Sequence, residues 1–206
     1  MCGDGCFMEG VGSEAASLAG HLGLDNLCWI YDNNHITIEG NTKITFTEDV
    51  AARFMGYGWN VLRVGDANDM GLIEHALTVF RQTKHRPTLI ILDSHIGYGS
   101  PHMQDTAAIH GEPLGDEEVK LTKRAYGWPE DAQFLVPEGV SERLREGIAP
   151  RGAALSAAWD ERMERYAWSH ADQAAELRTM WAHELPEGWA KSLPSFSADA
   201  KGLASR

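Results

Sequence analysis

Three short apolar runs, each followed or preceded by a stretch long enough for a helix, constrain this chain more than any other feature. They are 27–31 (Leu27-Cys28-Trp29-Ile30-Tyr31), 59–64 (Trp59 to Val64) and 87–93 (Pro87 to Asp93). The last is β-branched and apolar enough to be buried on both faces, as a strand inside a parallel sheet is. Between the runs the pattern turns helical. Ser13 to Leu22 is small and helix-prone, with Gly23 a natural stop. Thr47-Glu48-Asp49 places acids at the start of a helix running through Val50, Ala51, Phe54 and Met55 to Gly56 and Gly58. Asn68 or Asp69 caps another, in which Met70, Ile73, Ala76, Leu77 and Phe80 recur at helical spacing. Strands alternating with helices of about a dozen residues predict βαβ units: an α/β fold with a parallel sheet flanked by helices.

Open parallel sheets bind ligands beyond the carboxyl ends of their strands, which directs attention to Gly3-Asp4-Gly5 and to Asp32-Asn33-Asn34-His35-Ile36. The glycines permit a tight turn and close approach of a ligand. Asp4 supplies an anionic oxygen and Asn34 a neutral carbonyl oxygen, the donors Mg²⁺ and Ca²⁺ prefer. Each segment alone is an ordinary turn or loop; together they suggest a metal-bridged diphosphate site. Glu9, the lone carboxylate of the following turn, reads from its surroundings as a solvated loop acid. From Ser94 to Gly115 the periodicity disappears, glycine and proline accumulate, and His95, His102 and His110 occur. A structureless stretch after a buried strand predicts a functional loop, although any one of its histidines could be a plain loop residue.

Helices are expected at Asp116 to Tyr126, Pro137 to Glu146 and Arg151 to Glu184, the last with a seam of Trp159, Met163, Tyr166, Trp168, Ala175, Leu177 and Trp181. Beyond Pro186 the composition becomes that of a linker. The expected organisation is therefore a partial α/β domain over 1–150, a helical extension over 151–184 and an interdomain linker over 185–206. A formal net charge of -12 argues against a nucleic-acid surface or an anionic membrane as partner. No apolar run approaches the roughly 20 residues of a membrane span, and the N-terminus is unlike a signal peptide. Cys2, Cys6 and Cys28 fit reduced thiols, without the second Cys/His cluster a zinc knuckle needs. A cytoplasmic protein is expected.

Several linked motifs carry a resemblance. Gly3-Asp4-Gly5-Cys6-Phe7-Met8-Glu9-Gly10, Ser13-Glu14-Ala15, Ile30 to Gly40, Ile96-Gly97-Tyr98-Gly99-Ser100 and His110-Gly111-Glu112-Pro113-Leu114-Gly115 occur in the order and at the spacing of transketolases, and the similarity runs along the whole chain. The resemblance implies the thiamine-diphosphate-binding fold, thiamine diphosphate with Mg²⁺ or Ca²⁺, a homodimer, and transfer of a two-carbon ketol unit between sugar phosphates in the pentose phosphate pathway. It implies that Asp4, the Asn34 side chain and the Ile36 backbone carbonyl hold the cation. Gly5 and Asn34 would contact the diphosphate, with Gly3 in the same cofactor-binding turn. Ile96 would lie close to the cofactor, and His110 would touch both cofactor and sugar. Glu9 is similar to a buried acid linking two cofactor sites across the dimer, and Arg206 to an arginine that contacts the sugar's phosphate.

The resemblance also implies a missing part on each side: a stretch before the Gly-Asp-Gly segment that opens the sheet, and a second domain whose glutamate activates the cofactor. The chain is thus expected to be an incomplete thiamine-diphosphate-binding fold with a helical C-terminal extension, inactive alone, with exposed edges that favour assembly with another chain. Alternatives are a non-catalytic cofactor-binding subunit of a split transketolase, a related thiamine-diphosphate enzyme such as a deoxyxylulose phosphate synthase, or a plain metal-binding module.

Overall fold

The structure, a computed structural model, describes residues 1–197 and Gly202. It divides into two compact units, 1–133 and 134–206. The first is built on a parallel sheet of four strands in the order β1-β2-β6-β5. In chain order these are β1 (Cys2–Gly3), β2 (Cys28–Asn33), β5 (Asn60–Val64) and β6 (Thr88–Asp93). A small antiparallel hairpin, β3 (Ile36–Thr37) and β4 (Gly40–Asn41), follows β2. The helices are α1 (Asp4–Met8), α2 (Gly10–His21), α3 (Val50–Gly56), α4 (Met70–Gln82) and α5 (Asp116–Ala125).

β6 has a strand on each side and is apolar on both faces. Leu89 and Ile91 enter one core with Phe7, Ala16, Ala19, Tyr31, Val50, Phe54 and Trp59, while Ile90 enters a second with Val64 and Ala76. The first core is aromatic: Phe7 stands 4.3 Å from Tyr31, and Phe54 5.0 Å from Trp59, between ring centroids. Burying one such side chain contributes about 1.5–3 kcal/mol. The small face of α2 lets it sit close. A Cβ at Gly20 would lie 1.9 Å from the Tyr57 carbonyl oxygen, and the Trp59 indole donates to the Ala16 carbonyl at 2.8 Å. The caps fall where short acidic side chains precede the helices, Asp49 accepting from the Ala52 amide and Asp69 from the Leu72 amide, each at 3.0 Å.

Four expectations need correction. Gly3-Asp4-Gly5 is no tight turn but a strand end running directly into α1, with Gly3 extended at φ -97°. The helix predicted from Ser13 begins at Gly10. Asp32 and Asn33 are the last residues of β2 rather than loop, because they pair with Leu92 and Asp93 of β6. In 134–206 a single helix, α6 (Val140–Ser169), carries Pro150 in its interior and passes through the expected boundary at 150; α7 (Ala171–Trp181) follows. Of the expected seam there, Trp159 and Trp181 do meet, at 6.1 Å between centroids, but Trp168 is 91% exposed. Among the described residues of this unit, the buried one is Ala174.

Candidate functional site

Parallel strands end on one edge of the sheet, and the register decides which loops meet there. Gly3 lies beside Asp32, and Asn33 beside Asp93, so the segments after β1, β2 and β6 emerge side by side. Asp4 leads α1 at this edge and is 2% exposed. A carboxylate so buried must be hydrogen-bonded, and it is. The Tyr31 hydroxyl donates to Oδ1 at 2.6 Å and the His35 amide donates to Oδ2 at 3.1 Å. Burial, with the Asp4 hydrogen bond and charge, pushes the Tyr31 phenol well above its ordinary value, so it remains a donor.

The residues after β2 form a compact turn. The Asn34 side-chain oxygen accepts from the Ile36 amide at 3.0 Å, and its amide nitrogen donates to Asp32 at 3.2 Å. His35 takes the left-handed conformation, φ 61°, at which non-glycine residues are uncommon. Its amide meets Asp4, and its carbonyl accepts from the Thr42 amide at 2.9 Å. Thus Asp4 and the Asn34–Ile36 turn, predicted from sequence as one site, are joined through the residue between Asn34 and Ile36. A cavity of about 290 Å³ opens beside them, lined by Asp4, Tyr31, Asn33, His35 and Thr42 among others.

The end of β6 is bound to the same edge. Ser94 donates to Asp32, and Asn33 donates to Asp93 at 2.6 Å. Arg63 grips Asp93 with both Nε (2.8 Å) and an Nη (3.0 Å). Burial alone would raise the Asp93 carboxyl, but the Arg63 and Asn33 hydrogen bonds outweigh it and hold the group below its ordinary value.

From here the 94–115 loop folds back on itself. The Ile96 carbonyl accepts from the Asp105 amide at 3.0 Å. Gly97 is left-handed at φ 63°, and the Ile109 side chain lies where its Cβ would be, at 2.2 Å, so Ile96 and His110 flank one contact. His110 is exposed, and its imidazole has no hydrogen-bond partner among the described residues. The loop is clipped to α5 by Glu118, which accepts from the Ser100 hydroxyl and, at 2.9 Å, from the His102 amide, and lies 2.8 Å from His102 Nδ1. These bonds hold the Glu118 carboxyl down to about 2. Glu9 is exposed between α1 and α2, without a side-chain cap bond. Arg206 lies outside the described residues.

Do these residues fit a cation and a diphosphate? Gly3 and Gly5 adopt no positive φ, and a Cβ on either would meet nothing within 4 Å. Nothing in the chain itself demands glycine there, and the space beside them is open to a ligand. Among the described residues no group of three or more His, Cys, Asp or Glu side chains could hold a metal. Asp4, the Asn34 side chain and the Ile36 carbonyl represent one carboxylate and two neutral oxygens, and in donor chemistry this set fits a hard ion that shares a phosphate. Tyr31, Arg63, Asp93, Ser94 and Glu118 were not anticipated as part of the site. Only the period-2 alternation that places Tyr31 on the same strand face as Asn33 could have pointed to one of them.

Comparison with known proteins gives the family. The sequence profile described as "Transketolase, thiamine diphosphate binding domain" matches residues 1–186. The chain belongs to the transketolase family. It is 46% identical over 206 residues to a transketolase of Geobacillus stearothermophilus and 44% identical over 207 residues to one of Nostoc sp., in each case covering 100% of this chain and 31% of the relative. Among solved structures, a Pichia stipitis transketolase in complex with sedoheptulose-7-phosphate superposes with a TM-score of 0.79 at 40% identity, covering 96% of this chain and 29% of that one. Leishmania mexicana transketolase gives 0.81 at 36% identity, covering 95% and 29%. The thiamine-diphosphate-binding α/β fold expected from the motifs is thus borne out. The chain spans about a third of the length of these transketolases.

Proposed function

We propose that this chain is the diphosphate-holding part of a thiamine-diphosphate- and divalent-cation-dependent transketolase, which transfers a two-carbon ketol unit between a ketose phosphate and an aldose phosphate in the pentose phosphate pathway. The observation that carries the reading is the buried Asp4 carboxylate bonded to the Asn34–Ile36 turn through the His35 amide. Asp4, the Asn34 side-chain oxygen and the Ile36 carbonyl hold Mg²⁺ or Ca²⁺. The Gly3–Gly5 backbone and Asn34 meet the diphosphate, whose charge the cation offsets in an otherwise acidic chain. When bound, thiamine diphosphate supplies the carbon nucleophile of the reaction. Ile96 packs beside the cofactor. His110 donates a hydrogen bond to, or exchanges a proton with, a hydroxyl oxygen of the sugar. Arg206 binds the sugar's phosphate.

Glu9, exposed in the single chain, is covered in this reading by a second copy in a homodimer. The net charge of -12 favours neither nucleic acid nor anionic membrane as a partner, and no helix among the described residues is long and apolar enough to cross a membrane. A cytoplasmic enzyme fits both. Because the chain spans 31% of its relatives' length, turnover is assigned to the whole protein rather than to these residues alone.

Calorimetric titration of Mg²⁺ into the purified chain, with and without thiamine diphosphate, tests the reading. The expected outcome is cation binding that tightens with the cofactor and disappears in Asp4→Asn. Binding indifferent to thiamine diphosphate would instead indicate a plain cation-binding module.

A further inference from the structure

We infer that Tyr31 is a positioning residue for the cation site: by donating its hydroxyl to Asp4 Oδ1, it sets the direction in which the Asp4 carboxylate is presented to a divalent cation. The inference rests on the reading of Asp4 as a cation ligand and extends it to a residue that touches neither cation nor cofactor.

Both partners are buried. Tyr31 is 3% exposed and sits in the middle of the sheet, on a strand paired to β1 on one side and to β6 on the other. Its ring packs 4.3 Å from Phe7, one helical turn from Asp4 in α1. Its hydroxyl therefore has one place to be, and Asp4 Oδ1 is 2.6 Å away. The His35 amide engages the other oxygen at 3.1 Å. One donor on each oxygen removes rotation of the carboxylate about its Cβ–Cγ bond. A carboxylate has about four lone-pair positions, so two remain, and their directions are set by the two that are used.

The nature of the donors matters as much as their number. At the same sheet edge Asp93 is gripped by the Arg63 guanidinium, which neutralises it. Asp4 is held by a phenol and an amide, both neutral, so the bonds that fix it bring no counter-charge to it. That leaves the carboxylate to a dication. Ligand orientation by a hydrogen-bonded neighbour is a general property of metal sites, and loss of such a neighbour typically costs 10–100-fold in metal affinity.

The test uses Mn²⁺ as probe on the full 206-residue chain with thiamine diphosphate present, with free Mn²⁺ read by electron paramagnetic resonance and melting followed with and without the ion. Wild type should bind, Asp4→Asn should not, and Tyr31→Phe, which keeps the ring, should bind about 10–100-fold more weakly and lose most of the Mn²⁺-dependent rise in Tm. A purely structural Tyr31 would lower the metal-free Tm yet leave affinity at the wild-type value, and that result overturns the inference. Absence of wild-type binding, or binding unchanged in Asp4→Asn, overturns the assignment of Asp4 and the inference with it. Should Tyr31→Phe not fold, ultraviolet resonance Raman of the wild type decides. Mg²⁺ should change the tyrosine donor-bond signature, and the change should be missing in Asp4→Asn. No change in the wild type overturns the inference.

Discussion

Asp4 and Glu118 perform the same task at different depths. Each carboxylate accepts from a hydroxyl and a backbone amide, and each ties a loop to the body of the sheet unit: Asp4 the turn at 34–36, Glu118 the loop at 100–102. Asp4 is 2% exposed, and its hydroxyl donor is a tyrosine of the aromatic core. Glu118 works at the rim, with an exposed histidine, His102, as third partner. The contrast shows how one bonding pattern serves two ends. Buried and bonded to neutral donors, a carboxylate is fixed in place without a counter-charge; near solvent, the same pattern makes a clip that responds to pH.

The widest gap between the two should appear on removal of the buried group. Asp4→Ala leaves the Tyr31 hydroxyl buried without a partner, at a cost of about 1–3 kcal/mol for that donor alone, measurable by urea denaturation. A loss no greater than that of Glu118→Ala would erase the distinction. Smaller in effect, Gly97→Ala probes the clipped loop from the other side. It puts a side chain at φ 63° and into the Ile109 side chain, for a strain of order 1–3 kcal/mol that should be partly relieved by movement of 109–110. Hydrogen exchange should then quicken around 105–110 while Asp4 and its partners stay protected; loosening spread over both regions would mean that they are not independent.

The smallest effect is the pH response of Glu118. Its folded value of about 2 lies below the ordinary 4.5, so the clip contributes fully above pH 4.5 and weakens as pH falls from 4.5 towards 2. The His102 amide should lose exchange protection across that window, and Glu118→Gln should abolish the dependence. A profile indifferent to Glu118→Gln would refute the clip.

Much of this architecture was legible from local patterns. The strand at Pro87 to Asp93 announced itself by β-branched apolar residues, and Asp49 and Asp69 by preceding helical periodicity. The helices expected at 137–146 and 151–184 are instead joined across Pro150 in the 30-residue α6; proline deprives a helix of one hydrogen bond and strains it, yet the helix continues through it. Asp32 and Asn33 have the composition of a loop, yet β6 supplies strand partners for them. In the candidate site, Asp4, Asn34, Ile36 and the loop bearing Ile96 and His110 stood out as residue types at telling places. Tyr31, twenty-seven positions from Asp4, did not.

What the linear order of residues established is the three longer strands with the helices between them, the family and the donor atoms available, because periodicity and linked motifs are local properties of the chain. Pairing at long range belongs to the fold. That Tyr31 and the His35 amide share Asp4, that Arg63 pairs with Asp93 rather than with Asp4, and that Glu118 holds Ser100 follow from strand register and packing, which bring distant residues within hydrogen-bond range.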